Sequence, residues 1–88
     1  MEIKIATRQC LDQKGQQRRF HYYLTIDQEE TPRLFCENYG VRIAEELGDE
    51  SSLSGVSTSA AGIDELMTLL VDNTVGPAGL ADVVADWL

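Results

Sequence analysis

The chain has 88 residues, of which 43% are hydrophobic and 25% charged, with a net charge of −8. That length builds one hydrophobic core and not two, and that balance argues against disorder. The acid excess argues against holding nucleic acid by phosphate neutralisation or lying on an anionic membrane surface, since both need clustered cations.

Residues 2–12 place Ile3, Ile5 and Leu11 at period two with Thr7 between, which predicts a half-buried strand. Gln13-Lys14-Gly15-Gln16 reads as a turn, and residues 17–27 as a second strand with Phe20, Tyr22, Leu24 and Ile26 alternating. A two-residue turn at Lys14-Gly15 would set Ile3 opposite Ile26, Ile5 opposite Leu24 and Thr7 opposite Tyr22. Asp27 to Pro32 is expected to be a polar loop, with Pro32 barring helix before it. Residues 34–47 form a third strand with Tyr39, Val41 and Ile43 on one face, and Gly40 is a candidate bulge. Gly48-Asp49 is the next turn, and residues 51–57 the fourth strand. There a bulge at Gly55 would turn both Leu53 and Val56 inward, whereas a plain two-residue turn would leave Leu53 outward; the bulge is the favoured reading.

Ser57-Thr58-Ser59 supplies N-cap residues, and Ile63, Leu66, Met67 and Leu70 follow at helical spacing, predicting a helix over 60–73 that ends at Asn73. Asp64 and Glu65 are expected near its positive end. Gly76-Pro77-Ala78-Gly79 reads as a linker, and Leu80, Val83, Val84, Trp87 and Leu88 as the stripe of a second helix over 80–88. The expected fold is α+β: a single domain, 1–88, in which a four-stranded antiparallel β-meander has one face covered by two C-terminal helices.

Chemistry is hard to find in this pattern. Cys10, His21 and Cys36 lack the spacing of a zinc site, and the carboxylates lack that of a calcium loop, so no metal and no cofactor is expected. His21, the one histidine, has no announced nucleophile: the serines of 51–59 lack a nucleophile-elbow setting, and no catalytic residue is assigned. On the expected register Cys10, His21 and Tyr23 point off the core face. Arg8, Lys14, Arg18, Arg19 and Arg33 could form a small basic patch at the hairpin end, weak evidence for nucleic acid beside so much acid. Two thiols, and an opening Met1-Glu2-Ile3-Lys4-Ile5 without an apolar leader, lead to the expectation of a cytoplasmic protein with reduced thiols and no membrane span.

Charge is uneven along the chain. Met1 to Arg33 carries six Lys/Arg against five Asp/Glu; Leu34 to Leu88 carries Arg42 alone against ten. A nine-residue terminal helix bearing a tryptophan forms only when packed, on its own sheet or on a partner, including a second copy. Candidate interaction residues are therefore Trp87, Leu88 and Val84 at the end of the chain, with Tyr23 and His21 on the sheet.

The segments Glu37-Asn38-Tyr39-Gly40-Val41, Ser57-Thr58-Ser59 leading into a helix, and Asp82-Val83-Val84-Ala85-Asp86-Trp87-Leu88 together resemble a family of short bacterial proteins, mostly from Firmicutes, known only as a domain of unknown function. The chain departs from that pattern in having Ala60-Ala61-Gly62 where the helix usually opens with charged residues. The resemblance implies an intracellular bacterial protein and carries over no catalytic residue. The leading functional expectation is a small acidic non-enzymatic protein-interaction module, with a protein partner or self-pairing. Two others stand beside it: an acidic inhibitor filling a basic groove of a nuclease or other nucleic-acid-handling complex, of the phage counter-defence type, and a small-ligand-binding protein.

Overall fold

A computed structural model describes residues 1–30 and 35–88, with the backbone alone at 29, 30, 35 and 36. Pro32, Arg33, Leu34 and the side chain of Cys36 lie outside the described residues. The elements run β1 (Glu2–Leu11), β2 (Gln17–Glu30), β3 (Phe35–Glu45), β4 (Glu50–Ser57), α1 (Ala60–Asp72), a 3₁₀ turn (Pro77–Gly79) and α2 (Leu80–Trp87). The strands form one antiparallel sheet in the order β1-β2-β3-β4, a meander. Both helices cover one face, which makes the fold α+β.

The core lies between that face and the helices. Phe20 and Tyr22 of β2 and Val41 and Ile43 of β3 are buried against Ile63, Leu66, Met67, Leu70 and Val71 of α1 and Leu80 and Val84 of α2. The α1 stripe falls at spacings of three and four, so one side of the helix supplies all five of its core residues. Ser59 caps α1, its hydroxyl accepting from the Gly62 amide at 3.1 Å. Asp64 and Glu65 lie beyond the first turn, which holds no acidic residue, so the expected pairing with the helix dipole is not made.

The β1–β2 register differs from the two-residue-turn expectation. The Asp12 amide donates to the Gln16 carbonyl (2.9 Å), and the Asp12 carboxylate accepts from the amides of Lys14 (2.9 Å) and Gln16 (2.8 Å). The loop is thus the three residues 13–15, and Ala6 faces Tyr22 while Thr7 faces His21. A further shift between Lys4 and Ala6 sets Ile3 opposite Leu24 rather than Ile26. Ala6 and Cys10 therefore take the inward places, and Ile3, Ile5 and Leu11 are exposed instead of half-buried. Cys10, expected off the core face, is on it.

β2 also continues through Asp27 to Glu30, where a loop was expected, pairing with β3 past the last β1 partner at Thr25. The bulge reading of β4 holds. Val41 faces Leu53 and Tyr39 faces Ser57, so residues 54–56 stand opposite Gly40 alone. Gly55 takes a left-handed φ of 61° there, and both Leu53 and Val56 pack on the core.

α1 ends in a Schellman motif: the Val75 amide donates to the Leu70 carbonyl (3.0 Å) and the Thr74 amide to that of Val71 (3.1 Å). The position that must be left-handed is Thr74, at φ 50°, a β-branched residue where glycine is the ordinary choice. Thr74→Gly is expected to stabilise the fold by about 1 kcal/mol, read as a raised denaturant midpoint with an unchanged m-value. The motif delivers the Val75 carbonyl to the Tyr22 hydroxyl, which donates to it at 2.8 Å, and burial pushes that phenol up to about 12.

Candidate interaction surface

The two sides of the molecule differ in how their charges are disposed. On the open face of the sheet the described arginines, Arg19 and Arg42, are already paired. Arg42 of β3 donates through Nε and Nη2 to both oxygens of Glu2 (3.0 and 2.7 Å) and through Nη1 to Glu50 (3.0 Å). It thereby ties β1 to β4 across β2, with its guanidinium 4.1 Å from the Tyr23 ring centroid. Arg19 pairs with Glu46 at 3.3 Å. Arg18, on the core side, donates through Nε to Glu45 at 2.6 Å. The two arginines point to opposite faces, and each has a carboxylate, so no basic patch forms from them.

Hydrogen bonds from these guanidinium groups hold the Glu2 and Glu45 carboxyls below their ordinary value of 4.5. A lowered carboxyl contributes stability that is complete above the ordinary value and lost as pH falls through the folded one. Thermal unfolding followed across a pH series is therefore expected to show a midpoint that declines below about pH 4.5. Arg42→Gln should flatten part of that decline.

His21 and Tyr23 do face away from the core. The Thr7 hydroxyl is 3.0 Å from His21 Nδ1, and His21 Nε2 is 4.0 Å from Glu46 Oε1. A hydroxyl, an imidazole and a carboxylate in that order have the roles of a nucleophile, its base and an orienting group. They lie side by side on a strand surface, however, and His21 reaches Glu46 only at the limit of an ion pair. Cys10 is on the opposite face of the sheet from His21, so that thiol does not pair with the imidazole. Among the described residues no three His, Cys, Asp or Glu side chains cluster as a metal site would require, and no helix is long and apolar enough to cross a membrane.

The helical side is different. Residues 58–88 contain Asp64, Glu65, Asp72, Asp82 and Asp86 and no Lys, Arg or His, and all five carboxylates are exposed. Among the described residues none of these five carboxylates takes part in an ion pair. Between α1 and α2 lie two adjoining hollows of about 290 and 240 Å³ that share Leu69, Asn73 and Trp87. Val75 and Val83 complete the apolar floor; Glu65, Asp72 and Asp86 stand at the rim.

Helix geometry places each of these residues. Leu69 falls just outside the buried stripe and is 39% exposed, with Glu65 four residues before it and Asp72 three after on the same flank. Val83 and Trp87 are one turn apart on α2, both half-buried, while Leu80 and Val84 point down into the core. Of the residues expected at an interface, Trp87 lines the groove, Val84 is buried beneath it and Leu88 is exposed at the end. Tyr23 and His21 are half-buried on the opposite side of the sheet. Leu69, Val75 and the carboxylate rim were not singled out from the sequence. Their signal was a leucine off the stripe in a stretch without cations.

A model for the family of unknown function DUF6514 matches residues 1–88. The chain belongs to that family. No curated protein and no solved structure matches it. The family carries no assigned activity, so any functional reading rests on the chain's own surface.

Proposed function

We propose that the chain is a non-enzymatic, cytoplasmic protein-interaction module that docks a partner protein in the groove between α1 and α2. The observation that carries this reading is an apolar floor of Leu69, Val75, Val83 and Trp87 left open to solvent between two helices, with rim carboxylates that enter no ion pair among the described residues. Aromatic and aliphatic anchors in a desolvated hollow supply most of the energy of a typical interface. The open sheet face is a poorer candidate, because Arg42 already covers Tyr23 and is itself paired with Glu2 and Glu50.

A second reading is favoured by the five uncompensated carboxylates of the helical layer: an acidic inhibitor that fills the basic groove of a nucleic-acid-handling complex. Association driven by charge is fast and salt-sensitive, whereas an apolar seat holds in salt. Tagged protein incubated with host lysate and washed at low and then high salt is expected to retain a stoichiometric partner, and Leu69→Glu to lose it. Recovery that Leu69→Glu leaves unchanged contradicts groove docking; release at moderate salt favours the inhibitor. A substrate turned over by the protein but not by His21→Ala would contradict the non-enzymatic reading.

A further inference from the structure

Resting on the groove reading above, we infer that the occupant is a basic amphipathic α-helix of a partner protein, seating apolar side chains on Leu69 and Trp87 and setting Lys or Arg beside Glu65, Asp72 and Asp86. Both walls of the groove are helices whose backbone groups are already bonded, so an added strand would find no ladder to extend. The α1 wall from Glu65 to Asn73 spans about 12 Å, which matches two turns of a helix. Such a helix presents apolar residues at i, i+3 and i+4 to the floor and its flanks to the rim.

The rim fixes the sign of those flanks. Each of the three carboxylates borders the apolar floor, and among the described residues none of them is held in an ion pair. A second copy is the wrong occupant by the same argument. Two-fold self-docking brings the same patch against itself, so Glu65, Asp72 and Asp86 would meet their own counterparts at a cost.

Trp87 is the only tryptophan in the chain, so its emission reports the groove directly. The test titrates the intact protein with three tryptophan-free peptides of 18 residues. The first carries Leu at i, i+3, i+4 and i+7 on a Lys background, the second scrambles the same composition, and the third replaces Lys by Glu. The expected result is a saturable blue shift with the first, at least tenfold weaker binding with the second, and none with the third. Glu65→Gln/Asp72→Asn/Asp86→Asn together should weaken the first about tenfold, a summed effect of three rim charges. The control triple Asp49→Asn/Asp64→Asn/Asp82→Asn removes equal charge away from the groove and should leave binding within about twofold. Equal binding of the scrambled peptide, equal weakening by both triples, or no shift with the first peptide overturns the proposal. A shift with the Glu peptide alone would overturn the basic occupant while leaving groove docking intact. No shift with any peptide, together with lysate recovery that Leu69→Glu leaves unchanged, would sink both readings.

Discussion

Gly40→Ala is expected to destabilise the protein by about 3 kcal/mol, at the upper end of what overpacking costs. A Cβ at this position would overlap the Leu53 carbonyl oxygen and lie 2.6 Å from Thr25 Oγ1 and 2.9 Å from Ser54 Cα. The threonine could rotate away; the two β4 contacts are backbone and cannot. They come this close because the bulged residues 54–56 crowd against Gly40 alone. The side chain would thus have to break the pairing that turns both Leu53 and Val56 onto the core. Total stability for small domains runs at roughly 5–15 kcal/mol, so the variant should unfold at much lower denaturant. Gly55→Ala is the contrasting case. It has open space around the new methyl group but a left-handed φ, so its cost should be smaller and come from backbone conformation alone. Equal midpoints for Gly40→Ala and the parent chain would mean that β4 does not run this close.

Leu70→Ala should cost about 2–5 kcal/mol, the range for removing a fully buried leucine. Leu70 is 0% exposed, and its carbonyl accepts the Val75 amide that closes α1. It joins the sheet, α1 and the turn that carries Val75 into the groove. The loss should therefore appear both in the unfolding midpoint and in Trp87 emission of the folded protein, which should shift red as water reaches the groove. Leu69→Ala, one residue along and 39% exposed, should cost under 1 kcal/mol and leave the fold intact. The pair separates the helix's structural face from its proposed docking face.

Much of this architecture was legible where one signal pointed one way. The stripes at Ile63–Leu66–Met67–Leu70 and Leu80–Val84 mark the helices, and Ser57-Thr58-Ser59 and Asn73 the two ends of α1. The alternation Phe20–Tyr22 against Val41–Ile43 identified the inward face of the central strands, and Gly55 the bulge. β1 misled because its register hangs on loop length. Asp12 draws the amides of Lys14 and Gln16 to its carboxylate and makes a three-residue loop, and one residue of difference moves every partner. Leu11 then lies exposed, and Ala6 and Cys10, which look unremarkable in sequence, face inward. The groove was half legible. Trp87 on a terminal stripe drew attention, but Leu69 is visible as an anchor only when α2 is seen to lie alongside it. The sorting of charge, arginine pairs on the sheet and bare carboxylates on the helices, depends on which residues share a face.

The proposed docking face is the helical layer and not the sheet. Amide chemical-shift mapping of the isotope-labelled protein, titrated with the partner recovered from lysate, distinguishes the two faces. The perturbed amides are expected to concentrate at Leu69, Asn73, Val75, Val83 and Trp87. Perturbations centred on His21, Tyr23 and Arg42 would contradict it.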